Sequence, residues 1–122
     1  MANFGMLGGG MGSGIEYKSI KDSTSSTARG WEAILTELAP TFNALSEEER
    51  ESTIIQRASS ELYHYQGNKR YMTIYRGSNG SLTMLALDFA DLKAYKSTNG
   101  AAFENYTTTT AATVSLKKLT II

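Results

Sequence analysis

The spacing of apolar positions changes along the chain, and each change predicts a different kind of element. Residues 15–20 alternate between apolar and polar side chains, which predicts a short half-buried strand. The stretch 22–28 is rich in Ser and Thr without any periodicity and indicates a loop. From Trp31 to Leu45, apolar residues recur at three- and four-residue spacings, which predicts a helix over about 30–45. Pro40 should kink this helix or start a new one.

A second helix is predicted over about 46–66. Ser46 followed by Glu49 matches a capping box, and glutamates at its start suit the positive end of a helix dipole. The apolar positions that follow at helical spacing include Ile54 or Ile55, Ala58, Leu62 and Tyr65. Gly67 is suited to end this helix.

After residue 69 the period becomes two, which indicates strands. Asn79-Gly80 lies between the alternating segments 69–76 and 81–87, a strong hairpin signal. A loop of two or four residues would place Met72, Ile74, Leu85 and Leu87 on a core face. The opposite face would carry Tyr71, Thr73, Tyr75, Leu82, Met84 and Ala86, which is unusually apolar for a solvated surface. We therefore expect this second face to be partly covered.

The order of elements predicts an α+β fold. Residues 88–95 suit either a helical turn or a strand, and residues 103–116 suit one or two strands. The expected architecture is an N-terminal arm and short strand, two helices, and an antiparallel sheet of three to five strands packed on the helices. Residues 1–14 would be a flexible Gly/Met-rich arm and residues 15–122 a single domain, since 122 residues fit one domain.

Composition excludes several kinds of chemistry. The chain has no Cys and one His, which argues against thiol nucleophiles, Cys-based zinc sites and imidazole-rich metal sites. The formal net charge is zero, so the excess of basic residues that is typical of nucleic-acid binders is missing. We expect no cofactor, no metal and no enzymatic activity. An enzyme that uses His64 or Asp88 is the third-ranked hypothesis.

The glycines are concentrated at the start of the chain. Six of the eleven lie in residues 1–14, a segment without charged side chains. It lacks the Lys of a phosphate-binding P-loop and the charged start of a secretory signal, and the chain has no apolar run that would span a membrane. Four apolar side chains in it are suited to docking on a neighbouring subunit: Phe4, Met6, Leu7 and Met11. The expected location is the cytoplasm or a virion.

Charge is unevenly distributed along the chain. Residues 30–68 contain seven acids and two bases, whereas residues 69–122 contain seven bases and three acids. The sequence thus predicts an acidic helical side and a basic sheet side. Both sides could simply be exposed to solvent. Alternatively, the acidic side of one copy could pack head-to-tail on the basic side of another.

These features favour a non-enzymatic structural or assembly protein that forms a homo-oligomer or a larger particle, such as a viral or phage component. Its partners would be copies of itself or another structural protein. Besides the four arm residues, the predicted interface contains Tyr71, Tyr75, Met84, Ile121 and Ile122. The alternative is a small binding module with a pocket between helices and sheet lined by Tyr63, Tyr71, Tyr75 and Arg76. Lys69, Arg70 and Arg76 are the candidate contacts for a ligand or nucleic acid, although the neutral chain disfavours nucleic acid.

Overall fold

The computed structural model describes residues 14–23 and 27–122, so the predicted arm lies outside the described residues except for Gly14. The helices are α1 (Trp31–Ala44) and α2 (Glu47–Arg50). The strands are β1 (Ile15–Ser23), β2 (Arg29–Gly30), β3 (Thr53–Ala58), β4 (Glu61–Gly67), β5 (Arg70–Arg76), β6 (Leu82–Asp88), β7 (Lys93–Thr98), β8 (Glu104–Asn105), β9 (Thr109–Thr110) and β10 (Val114–Ile121).

Eight of the strands form one antiparallel sheet in the order β1-β10-β3-β4-β5-β6-β7-β8, while β2 pairs with β9 separately. The last long strand, β10, therefore lies between the first strand and β3. Ile15 is opposite Ile121, and Gly14 and Ile122 exchange two backbone hydrogen bonds of 2.9 Å. The two ends of the described domain are thus held side by side.

Helix α1 packs on one face of the sheet, which we call the inner face; the other is the outer face. Its three- and four-residue spacing puts Ile34, Leu35, Leu38 and Phe42 in the core with no exposed surface. The turn after β6 adds Phe89 to this core, and the strands contribute further buried apolar side chains: Ile55, Tyr63, Tyr71, Leu85, Leu87, Ala94, Val114 and Leu116. Pro40 does not start a new helix, since α1 continues through it to Ala44. Pro40 lies on the exposed side of α1, where the carbonyl group left unpaired can bond to water.

A polar cluster fixes the end of β1 to α1. Arg29 lies 2.5 Å from Glu37 of α1 and donates a 2.6 Å hydrogen bond to Ser23, which in turn donates to Glu37. The hydrogen bond from Arg29 also lowers the pKa of Glu37. Because Ser23 is fully buried, this cluster holds β1 in place at the border of the core.

The second predicted helix, over 46–66, is wrong. The capping box of Ser46 and Glu49 is confirmed, but α2 is only four residues long. The chain then forms the β3–β4 hairpin, in which Ile55 is opposite Tyr63. β-Branched and aromatic residues suit strands, and burial of these two side chains against α1 outweighs the weak helical spacing.

The predicted fold class is wrong as well. The described part of the chain forms one long helix on an eight-stranded antiparallel sheet, and not two long helices on three to five strands. The additional strands come from the segment assigned to the second helix, from β1, and from residues 88–95. In that last segment, Asp88 accepts hydrogen bonds from Ala90 and Asp91 and forms a turn between β6 and β7.

The β5–β6 hairpin is confirmed, but its predicted faces are wrong. Tyr71 is opposite Leu87 and Thr73 is opposite Leu85, so odd-numbered residues pair with odd-numbered ones. The reason is a loop with an odd number of residues: Gly77 pairs with Ser81 through a 2.7 Å hydrogen bond, which leaves residues 78–80 as the loop. Tyr71 therefore shares the inner face with Leu85 and Leu87, whereas Met72 and Ile74 lie on the outer face.

We predict that Gly80→Ala destabilises the protein by about 1 kcal/mol. Gly80 has φ +86° and closes the three-residue loop, and an added Cβ would meet no atom within 4 Å, so the cost is conformational strain alone. Chemical denaturation measures the effect, with Ser78→Ala in the same loop as control. Equal unfolding free energies for the two variants would contradict this account of the turn.

Candidate functional site

A cavity of about 320 Å³ opens at the N-terminal end of α1, between the inner face and the segment around β9. Trp31, the first residue of α1, lies at its inner end and is 3% exposed. Tyr63 packs edge-on against Trp31, with ring centroids 5.5 Å apart. Tyr75 also lines the cavity and keeps 49% of its surface exposed. The volume lies at the lower end of the range for small-molecule sites.

An ion pair crosses the β3–β4 hairpin inside this cavity. Arg57 binds Glu61 through two parallel contacts of 2.8 and 2.6 Å, and Arg57 also donates a 3.1 Å hydrogen bond to Thr110 of β9. Tyr63 donates to the same carboxylate. The β3–β4 turn makes this geometry possible, because it sets Ala58 opposite Glu61 and brings Arg57 close to the start of β4.

Hydrogen bonding within this group fixes its ionisation. Burial by itself would raise the pKa of Glu61, but the hydrogen bonds from Arg57 and Tyr63 outweigh it and the pKa lies below 4.5. Burial raises the pKa of Tyr63, and the hydrogen bond to Glu61 raises it further. Glu61 is therefore a charged acceptor that is already occupied, and not a free base. The ion pair is neutral overall, so the cavity suits an uncharged ligand.

The outer face is a second candidate surface. Alternation along the strands from the core residue Leu116 places Leu119, Ile121 and their partners Tyr17 and Ile15 on this face. The same alternation from Tyr71 places Met72, Ile74, Leu82 and Met84 there. Several of these side chains are exposed: Ile121 by 80%, Ile15 by 67%, Ile74 by 57%, Leu82 by 40%, Tyr17 by 38% and Leu119 by 37%. Among the described residues, no helix covers this face.

The predicted interface residues do not form one surface. Tyr71 is fully buried in its own chain and contacts Thr53 through its hydroxyl at 2.5 Å, so it presents no surface to a partner here. Burial raises the pKa of Tyr71 to about 12. Tyr75 lies on the inner side, whereas half-buried Met84 and exposed Ile121 lie on the outer face. Ile122 is 54% exposed beside Gly14. Phe4, Met6, Leu7 and Met11 lie outside the described residues.

The predicted cationic contacts are spread apart. Lys69 lies in the β4–β5 turn, and Arg70 pairs with Asp88 at 3.0 Å. Arg76 lies six residues farther along β5, about 20 Å away, and donates to the carbonyl of Gly80. Of the residues predicted to line the pocket of the binding module, Tyr63 and Tyr75 line this cavity, whereas Tyr71 is buried in the core. Arg76 does not line this cavity.

Two further expectations change with the structure. His64, the residue considered for catalysis, lies in the middle of β4 and is exposed on the outer face. The acidic stretch 30–68 includes β3 and β4, so the charge separation does not divide helix from sheet.

Within residues 14–23 and 27–122, no three acidic, His or Cys side chains cluster as metal ligands would. In the same ranges, no helix has the length and apolar character needed to cross a membrane.

Sequence reasoning missed the pairing of Arg57 with Glu61 and the exposed edge of β1. The two serines at 59–60 between β-branched and aromatic segments were the available signal, because a two-residue turn there places the ion pair across a hairpin.

Comparison with known proteins finds no family model, no curated protein and no solved structure that matches this chain.

We predict that Glu61→Gln lowers the free energy of unfolding by about 1–2 kcal/mol at pH 7, because it weakens the hydrogen bonds to a partly buried guanidinium. The folded-state pKa of Glu61 lies below its ordinary value of 4.5. Its charge therefore stabilises the fold fully above pH 4.5, and this stability is lost as the pH falls through the folded-state value. Denaturation from pH 7 to pH 3 should show the difference from wild type shrinking.

Glu48→Gln is the matched control, because Glu48 is exposed on α2 and should change stability little at any pH. A constant difference between wild type and Glu61→Gln over the whole pH range would contradict the assigned role of this carboxylate.

Proposed function

We propose that the protein is a non-enzymatic structural subunit that associates with copies of itself through the outer face and the β1 edge of its sheet. The observation that carries this proposal is the exposure of large apolar side chains on the outer face. Exposed apolar side chains on a sheet face are typical of interaction sites. The fold needs none of these side chains for its core, which lies between α1 and the inner face.

A separate group of exposed apolar residues lies at the border of the sheet. Ile15 is opposite Ile121 and Tyr17 is opposite Leu119, so two apolar pairs lie on the outer face beside the open edge of β1. Pairing of two sheets at this edge would join their outer faces into one larger apolar surface. A second copy of the chain can pair at this edge, and a further copy packed on the joined outer faces would bury the apolar side chains.

The arm extends this proposal on sequence grounds alone. Residues 1–13 are followed by Gly14, which is bonded to Ile122 at the same border of the sheet. Phe4, Met6, Leu7 and Met11 would thus start from the edge at which we place the partner. Removal of residues 1–13 tests whether they contribute to the assembly.

We predict that light scattering gives a mass above the 13.3 kDa of one chain, and that Ile74→Lys lowers this mass. A lysine at this position places a charge in the centre of the outer face, where association would have to bury it. The matched control is Tyr75→Lys, because Tyr75 is the next residue and is similarly exposed but lies on the inner side. An equal loss of mass in both variants would contradict an interface on the outer face.

The cavity favours a second candidate function, the binding of a small neutral molecule. Its aromatic and hydroxyl groups surround an ion pair whose charges cancel. Trp31 is the only Trp of the chain and lines the cavity, so its fluorescence should change when a ligand binds. A panel of small neutral ring compounds with hydroxyl groups tests this.

We predict that Tyr75→Ala weakens any such binding about tenfold, since this substitution removes an exposed ring from the cavity lining. Tyr17→Ala, on the outer face, is the control. Unchanged Trp31 fluorescence across the panel would contradict the ligand-binding function.

A further inference from the structure

The cavity beside Trp31 lies where two neighbouring strands of the sheet separate. The ladder between β4 and β5 ends on the cavity side at the pair His64–Met72. Beyond it, residues 61–63 pair only with β3 and residues 73–76 pair only with β6. Alternate residues of these two segments direct their backbone N–H and C=O groups towards the gap. Both segments contribute to the cavity lining, so the cavity has backbone hydrogen-bonding groups that the ladder does not pair.

The ion pair in this cavity keeps free hydrogen-bonding positions. Of the five N–H groups of Arg57, two bind Glu61 and one binds Thr110 in the described part of the chain, which leaves two. Glu61 accepts twice from Arg57 and once from Tyr63, whereas a carboxylate has about four acceptor positions. Both side chains of the pair line the cavity and stay partly exposed, Arg57 by 34% and Glu61 by 22%. A ligand can therefore reach a donor and an acceptor at neighbouring positions.

Thr110 adds a third polar group beside the ion pair. Its hydroxyl oxygen accepts hydrogen bonds of 3.1 Å from Arg57 and from the backbone N–H of Ala112. Because both partners are donors, the hydroxyl proton of Thr110 is left to donate to another acceptor. Further hydroxyl side chains line the same cavity: Ser60, Thr73, Thr108 and Thr109. The lining is therefore rich in groups that both donate and accept hydrogen bonds.

Aromatic rings form the apolar part of the lining. Tyr75 keeps 49% of its surface exposed, whereas Trp31 at the inner end is 3% exposed. An exposed ring beside hydrogen-bonding groups suits a ligand that has an apolar face and a polar rim. A ring sugar is such a ligand, because its C–H groups form apolar faces and its hydroxyl groups surround them.

We propose that this cavity binds one pyranose ring of a neutral sugar, with two adjacent hydroxyl groups on the Arg57–Glu61 pair and a C–H face on Tyr75. This inference rests on the second proposed function, the binding of a small neutral molecule, and specifies the class of ligand. Each sugar hydroxyl both donates and accepts, so one accepts from the guanidinium while its neighbour donates to the carboxylate. The volume of about 320 Å³ suits a single ring.

Other classes of ligand match this lining less well. A phosphate or carboxylate would approach Arg57 beside the negative charge of Glu61, and an ammonium group would approach Glu61 beside the guanidinium. An apolar ring without hydroxyl groups would cover the free positions of the ion pair without pairing them, which costs binding free energy. Two adjacent hydroxyl groups on an uncharged ring avoid both costs.

Titration of the full chain with neutral methyl glycosides tests the class of ligand. We predict that at least one of methyl glucopyranoside, methyl galactopyranoside and methyl mannopyranoside changes the fluorescence of Trp31, with a dissociation constant of about 1 mM. The 3-deoxy analogue of that glycoside should bind at least about tenfold more weakly. Removal of this hydroxyl group leaves no two adjacent ones on the ring, while the ring itself is kept.

Substitutions at the ion pair test the contact. We predict that Arg57→Lys weakens binding of the same glycoside about tenfold, because lysine keeps the charge beside Glu61 but lacks the planar fork. Arg70→Lys is the matched control and should leave the affinity unchanged, since Arg70 pairs with Asp88 and does not line this cavity. Thr110→Val removes one hydroxyl at nearly constant shape and should weaken binding about threefold. Circular dichroism confirms that each variant is folded.

The outcomes separate the sugar from ligand binding as such. A chain that binds neither these glycosides nor any other neutral ring compound contradicts both the ligand-binding function and this inference. A chain that binds a ring compound without adjacent hydroxyl groups, but none of the glycosides, contradicts the sugar alone. A glycoside that binds equally well without its 3-hydroxyl group, or equally well to Arg57→Lys and Arg70→Lys, contradicts the contact with the ion pair.

Discussion

The central position of β10 is the constraint on which the rest of the structure depends. This strand comes from the end of the chain, yet it pairs with β1 on one side and β3 on the other. Without it, β1 would be separated from the sheet and the inner face would be too narrow to cover α1. Such long-range pairing is costly in chain entropy, and the burial of apolar side chains between α1 and the sheet compensates for it.

Helix α1 covers only the inner face of the sheet, so the two faces differ in how far their side chains are buried. The inner face is filled by α1 except near Trp31, where the cavity remains, and the polar groups there are paired with one another. The outer face has no cover among the described residues and carries the exposed apolar side chains. The proposed self-association and the proposed ligand binding thus concern different faces and do not exclude each other.

Local signals were predictable where a few neighbouring residues decide the structure. The spacing of Trp31 to Leu45 indicated α1, the capping box at Ser46 was correct, and Asn79-Gly80 marked the hairpin. The strands at β3 and β4 were not predictable in this way. A sequence can fit helical and strand spacing equally well over a few residues, and only partners distant in the chain, such as Leu116 opposite Ile55, favour one.

The sequence by itself determined the position of α1, the capping box at Ser46, the hairpin at Asn79-Gly80 and the lack of thiol chemistry. Tertiary structure decided which face each side chain occupies, because one residue more or less in a turn or bulge exchanges the two faces of a strand. The three-residue loop before Ser81 moved Tyr71 from a predicted interface into the core. The bulge in β1 likewise brought Lys21 to the face of Glu16. Composition records neither change, since both depend on backbone pairing between segments far apart in the chain.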